Sequence, residues 1–320
     1  MRYRRFGRLG WSVGEIGTGM WGMAAWTGSD QAEVKRALQR AVDGGCNFFD
    51  TAWAYGEGRS EGLLGELVRA NPDRRLYTAT KIPPKNFQWP SRREYSVDDC
   101  YPPAHIEEFV RKSLAAAGLP SFDLIQLHTW EDAWLRDGRL LHKLEQLRGQ
   151  GLFRGVGISL NRWEPWNGVE AVRSGAVDAV QVVYNIFDQN PEDQLFPLCA
   201  DKDVAVIARV PFDEGSLTGT LTETSRWPDD DWRNKYFTPG NLAASVGRAD
   251  ALKPLCPPGV SLPTMALRFI LAHPAVSATI PGMRRVAHVD ANLAASDAGP
   301  LPEHLMIALR RHRWDRLPQA

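Results

Sequence analysis

Residues 47–66 read NFFDTAWAYGEGRSEGLLGE: an apolar aromatic run that stops at Asp50, Tyr55 five residues on, a Gly-rich turn, and a helical pattern from near Ser60. The run from Cys46 to Phe49 is the composition of a short buried strand. An acid at the C-terminal end of a strand, with a tyrosine in the loop that follows, is the layout of a site on the loop face of an α/β barrel.

Working outward, the same strand–loop–helix unit recurs. Apolar runs predict strands at 15–20, 47–50, 76–80, 122–127, 153–158, 179–183, 204–208 and 276–280. Helical patterns lie between them. One is opened by Asp30 as an N-cap with Glu33 as its capping-box partner, and one is closed by Gly118. Others fall at 61–70, 140–149, 166–173, 193–200, 242–252 and 264–272, with two more at 288–295 and 303–313. Strands alternating with helices predict a parallel sheet with right-handed crossovers, and eight such units predict a closed (β/α)8 TIM barrel. An N-terminal hairpin precedes it, extra C-terminal helices follow it, and residues 1–320 form one domain without a low-complexity linker. Long loops at 82–103 and 210–239 follow two of the strands.

Residues Gly17-Thr18-Gly19-Met20-Trp21-Gly22 match the letters G-x-G-x-x-G. A dinucleotide fold needs a helix to open at once and an acid about 20 residues on. Here MAAWTGS reads as a loop, the helix starts only near Asp30, and Asp50 comes late. The match is read as coincidence.

Composition narrows the function. The chain has 320 residues, 43% hydrophobic, with 38 basic against 38 acidic side chains. A balanced charge without long like-charge blocks argues against nucleic acid or an anionic membrane as partner, since both call for a basic face. No apolar run approaches a membrane span, and MRYRRFGRLG lacks the apolar region of a signal peptide. Cys46, Cys100, Cys199 and Cys256 are scattered without a C-x-x-C, which predicts reduced thiols in a cytoplasmic protein and no zinc site. No H-x-H stands at a strand end, which argues against a barrel metallohydrolase.

Asp50, Lys81 and His128 each end a different predicted strand, and Tyr55 sits in the loop after Asp50. In a barrel those ends converge on one face. The types make a proton-transfer set. Adding hydride to a carbonyl puts charge on oxygen, so a donor is needed, and a tyrosine with an ordinary pKa of about 10 becomes a better acid beside an ammonium. Asp50 is suited to hold Lys81 charged, and a neutral His128 to bond the carbonyl or pass the proton.

With DTAWAYG, SE-x-LLGE behind it, Thr80-Lys81, DLIQLH, GVGISLN, VQVVYN, and IPG followed by Asn292, the chain resembles the aldo-keto reductases from its N-terminal hairpin to about Asn292. The resemblance implies an NAD(P)H-dependent reductase of aldehydes or ketones, sugar-like carbonyls included. It implies Asp50, Tyr55, Lys81 and His128 as catalytic residues, with Tyr55 the general acid. Ser159, Asn161 and Gln181 match the residues that hold the nicotinamide carboxamide, and Arg209 stands where many members carry an aromatic stacked on the ring. Gly282, Arg284, His288 and Asn292 occupy the adenosine-phosphate clamp. Arg284 and Arg285 offer charge for a 2′-phosphate, so NADPH is favoured and NADH is the alternative. Trp21, Trp53 and Trp130, in loops past strand ends, are the candidate pocket walls. A cofactor-binding regulatory or redox-sensing subunit is the alternative to a reductase.

Overall fold

The computed structural model describes residues 1–24, 30–229 and 231–316. Strands β1 (Tyr3–Phe6) and β2 (Trp11–Gly14) form an antiparallel hairpin with Phe6 opposite Trp11. Eight parallel strands follow in chain order: β3 (Thr18–Gly19), β4 (Phe48–Asp50), β5 (Tyr77–Ile82), β6 (Phe122–His128), β7 (Phe153–Ser159), β8 (Ala179–Val183), β9 (Ala205–Arg209) and β10 (Val276–Thr279). The seam between first and last closes by backbone bonds. Gly17 N–H donates to Thr279 O at 2.8 Å, Thr279 N–H to Glu15 O at 2.9 Å, and Gly19 N–H to Pro281 O at 3.0 Å.

Close approach of the neighbouring strands explains two of the glycines in residues 17–22, Gly17 and Gly19. A Cβ on Gly19 would lie 2.6 Å from the Ile280 carbonyl oxygen, and one on Gly17 would lie 2.9 Å from that of Phe48. Only a residue without a side chain lets the backbones approach so closely. The six-residue strand expected at 15–20 is reduced to two paired residues, Thr18–Gly19, with an isolated bridge at Ile16 and a second from Gly19 itself to Gly282.

Period-two alternation sorts the strand side chains. On β6, Leu124 joins the barrel-interior cluster while Ile125 and Leu127 join the layer under the helices. Small residues inside the barrel (Ala79, Ala179, Ala205 and Ala278) leave room for the hairpin rings. Phe6 and Trp11 enter from the N-terminal end, with Trp11 stacked on Tyr77 at 5.2 Å and Phe6 against Phe48 at 5.3 Å. The hairpin therefore plugs the barrel end opposite the site.

Helices cover the outside. Asp30 caps helix Gln31–Asp43 by accepting from Ala32 N–H at 2.9 Å. Glu33 does not complete a capping box. It accepts instead from Val286 N–H at 2.9 Å, at the start of helix Val286–Asp297. Helix Arg59–Ala70 lies so close to helix Pro103–Ala117 that a Cβ on Gly65 would sit 1.7 Å from the Ala117 carbonyl oxygen. Gly118 ends the latter helix at φ 62°. The expected helices at 166–173 and 303–313 are shorter, Val169–Ser174 and Glu303–Arg310. Past the last helix, Trp314 N–H bonds Phe187 O at 2.8 Å. Arg316, almost fully buried, pairs with Asp188 and with Asp213 (2.8 Å) and donates to the Tyr236 hydroxyl at 2.7 Å, tying the C-terminal segment to the loops after β8 and β9. Among the described residues no helix is long and apolar enough to cross a membrane.

Candidate active site

β4 ends on Asp50, β5 carries Lys81 one residue before its end, and β6 ends on His128, so convergence of the parallel strands delivers three ionisable groups to one place. Lys81 is almost wholly buried, and its ammonium donates to Asp50 Oδ1 and to the Thr51 carbonyl oxygen at 2.8 Å. The Tyr55 hydroxyl lies 3.4 Å from Nζ, and the Tyr55 ring meets the His128 ring edge-on at 6.1 Å. Burial works against the charge on Lys81, but the Asp50 carboxylate and then Tyr55 offset it, so its pKa lies above the ordinary lysine value. Desolvation, followed by the Lys81 and Arg209 cations, holds His128 well below the ordinary histidine value. Its imidazole is neutral, and its Nδ1 has no hydrogen-bond partner among the described residues.

The second oxygen of Asp50 is held by two amides. Gln126 Nε2 donates to Oδ2 at 2.8 Å and Gln181 Nε2 at 2.9 Å, while Gln181 also donates to Gln126 Oε1 at 3.3 Å. Gln126 was not singled out from the sequence. The signal was present: in DLIQLH it stands two residues before His128, and period two turns both to the same face.

A cavity of about 890 Å³ opens on this cluster and runs past Ser159, Gln181 and Arg209 to Gly282, Arg284 and His288. Trp21, Trp89, Trp163 and Trp232 supply aromatic wall, and Trp89 is anchored by its indole N–H to the His128 carbonyl oxygen at 2.8 Å. Trp21 meets Trp232 edge-on at 5.6 Å. Arg162 borders the cavity, paired with Glu214.

Three expected positions fall outside the cavity, and a fourth borders it with its side chain already engaged. Trp53 turns away from the cavity and packs edge-on against Phe109 at 5.5 Å, beneath Lys112. Trp130 is fully buried, with its N–H on Asp132 Oδ1 at 2.8 Å and its ring against Trp134. Neither lines the cavity, because each indole finds apolar neighbours among the helices and loops outside it. Asn292 is buried on helix Val286–Asp297 outside the cavity, its amide nitrogen without a partner. Asn161 borders the cavity with its amide already engaged. It donates to Ser91 O at 2.9 Å, Glu131 at 3.2 Å and Glu164 at 2.8 Å, and it accepts from Ser91 N–H at 3.0 Å. It fastens the loop after β5 to the end of β7.

The remaining wall fits a nicotinamide cofactor. Ser159 presents a buried hydroxyl without a partner among the described residues beside Gln181, and such a hydroxyl can both donate to and accept from a primary amide. At the far end Arg284 and His288 face the same cavity. Burial and the neighbouring Arg285 and Arg284 lower the pKa of His288, so positive charge there comes from the guanidiniums.

Barrel, proton-transfer cluster and elongated cavity together define an oxidoreductase built on a (β/α)8 scaffold. The family model for aldo/keto reductases matches residues 15–313, and the chain belongs to that family. It is similar to the oxidoreductase YqkF of Bacillus subtilis, 27% identical over 314 residues that cover 98% of this chain and 96% of the relative. It is also similar to the NADH-specific methylglyoxal reductase of Escherichia coli, 27% identical over 300 residues covering 89% and 90%. A holo aldo-keto reductase from Bacillus halodurans superposes with a TM-score of 0.79 at 24% identity, over 100% of this chain and 98% of that one, a likeness of fold.

Proposed function

We propose that the chain reduces an aldehyde or ketone to an alcohol with NADPH, Tyr55 acting as the general acid. The observation that carries this reading is the Tyr55 hydroxyl at the cavity, 3.4 Å from an ammonium that Asp50 holds in place. When bound, the reduced nicotinamide supplies the hydride to the carbonyl carbon. Tyr55 gives its proton to the carbonyl oxygen, and the Lys81 ammonium stabilises the phenolate left behind. Neutral His128 orients the carbonyl oxygen toward Tyr55, and the Lys81–Asp50 pair stays fixed because Gln126 and Gln181 hold the free carboxylate oxygen. Ser159 and the Gln181 amide oxygen would hold the carboxamide, and Arg209 would face the ring.

NADPH is favoured over NADH by the guanidinium of Arg284 at the end of the cavity away from Tyr55, with Arg285 acting on the neighbouring His288, a charge that suits a 2′-phosphate. The Escherichia coli relative, described as NADH-specific, keeps NADH as the alternative. The four tryptophan faces suit a substrate with an apolar body or a sugar-like ring.

Tyr55→Phe tests the reading. Loss of a positioned acid lowers turnover about 10²–10⁴-fold, while titration of cofactor fluorescence shows binding retained. Turnover of the variant at the wild-type rate overturns the mechanism.

A further inference from the structure

Arg209 ends β9 on the cavity wall. One guanidinium nitrogen donates to the Leu160 carbonyl oxygen at 2.9 Å, and Nε is buried without a hydrogen-bond partner among the described residues. The other cations nearest it are paired: Lys81 with Asp50, Arg162 with Glu214, and Arg233 with Asp231. The Glu164 carboxylate, at the same cavity, is held by the neutral amide of Asn161 at 2.8 Å. Arg209 has no carboxylate at ion-pair distance among the described residues. Burial, then Arg162, pushes its pKa down to about 10, which leaves it charged at neutral pH. Its charge reaches His128 and Tyr55, so a guanidinium with no carboxylate in direct contact acts on the place of the reacting carbonyl, with Glu214 and Asp50 acting on it from farther off.

Hydride transfer to a carbonyl held by Tyr55 brings the donor ring within about 3–3.5 Å of the carbonyl carbon, and so within the field of Arg209. The reduced nicotinamide ring is neutral and the oxidised ring carries a positive charge. Like charges in a partly desolvated cavity repel more strongly than in water.

We propose that Arg209 makes the site discriminate between the two oxidation states of its cofactor, holding the reduced form more tightly than the oxidised form. The proposal rests on the carbonyl-reductase reading. When the hydride has moved to carbon, Tyr55 has passed its proton to oxygen and the phenolate has regained a proton from solvent, the ring left behind is cationic beside a fixed guanidinium. The oxidised cofactor then leaves readily, and the equilibrium on the protein is drawn toward alcohol oxidation relative to free solution.

The experiment is equilibrium titration of the full chain with NADPH and, separately, NADP⁺, for wild type, Arg209→Gln and Arg209→Lys. NADPH is followed by its own fluorescence and NADP⁺ by calorimetry. The expected wild-type ratio of dissociation constants, oxidised over reduced, is about tenfold or more, equivalent to about 1.4 kcal/mol. Arg209→Gln brings it toward unity, and Arg209→Lys, which keeps the charge, preserves most of it. A wild-type ratio near one, or the same ratio in Arg209→Gln, overturns the proposal while the reductase reading stands. Failure of wild type to bind either form overturns that reading, and the proposal with it.

Discussion

Glu61 lies in the first turn of helix Arg59–Ala70, fully buried behind Thr80, the residue before Lys81. One carboxyl oxygen accepts from the Thr80 hydroxyl, and the Ser113 hydroxyl lies beside the carboxyl as well. Burial raises its pKa from the ordinary 4.5 to about 7, although the Thr80 and Ser113 hydroxyls and then the Lys81 charge work the other way. Below about pH 4.5 the carboxyl is protonated in both folded and unfolded chains and leaves stability unaffected. Between that value and about 7 the unfolded chain releases the proton while the folded chain keeps it, so stability falls as pH rises and levels off above 7. At 1.36 kcal/mol per pKa unit the loss is about 3 kcal/mol in full. Glu61→Gln keeps the shape and removes the titration. Urea unfolding of both proteins from about pH 5 to about pH 8 is the assay. The variant should gain on the wild type steadily across that range, by about 2–3 kcal/mol in all. A difference independent of pH, or one that grows in favour of the wild type, refutes the reasoning.

Two further substitutions test the scaffold of the site. Gln126→Leu removes a donor 2.8 Å from the Asp50 carboxylate; bonds to charged groups contribute about 1.5–3 kcal/mol, so turnover should fall about ten- to hundredfold with cofactor affinity little changed, as steady-state kinetics and titration would show. In an unconstrained helix interior, Gly→Ala gains about 1 kcal/mol. At Gly65 the sign reverses, because the new methyl meets the Ala117 backbone carbonyl at 1.7 Å, and a loss of about 1–3 kcal/mol should appear in thermal unfolding.

The barrel and the positions of Asp50, Tyr55, Lys81 and His128 were legible in the sequence because both rest on local periodicity and chain order. Alternation of apolar runs with helical patterns makes the strands parallel, and parallel strands bring their C-terminal ends together. Gln126 was equally readable by period two and was passed over because a glutamine inside an apolar run carries no reaction chemistry of its own.

What the tertiary structure alone decided are the partners of side chains in loops and at element ends. Trp53 and Trp130 follow strand ends as Trp21 does, yet Phe109 and Trp134 draw them out of the cavity. Asn161 is taken by Ser91, 70 positions earlier, and Glu33 caps a helix 253 positions later instead of its own. Gly17 and Gly19 serve a barrel seam because residues near 280 return beside them. That no carboxylate among the described residues reaches ion-pair distance of Arg209 is likewise a fact of packing. Periodicity is set by backbone geometry over a few residues, whereas each of these outcomes depends on which distant segment arrives at contact distance, and that is fixed only when the barrel closes.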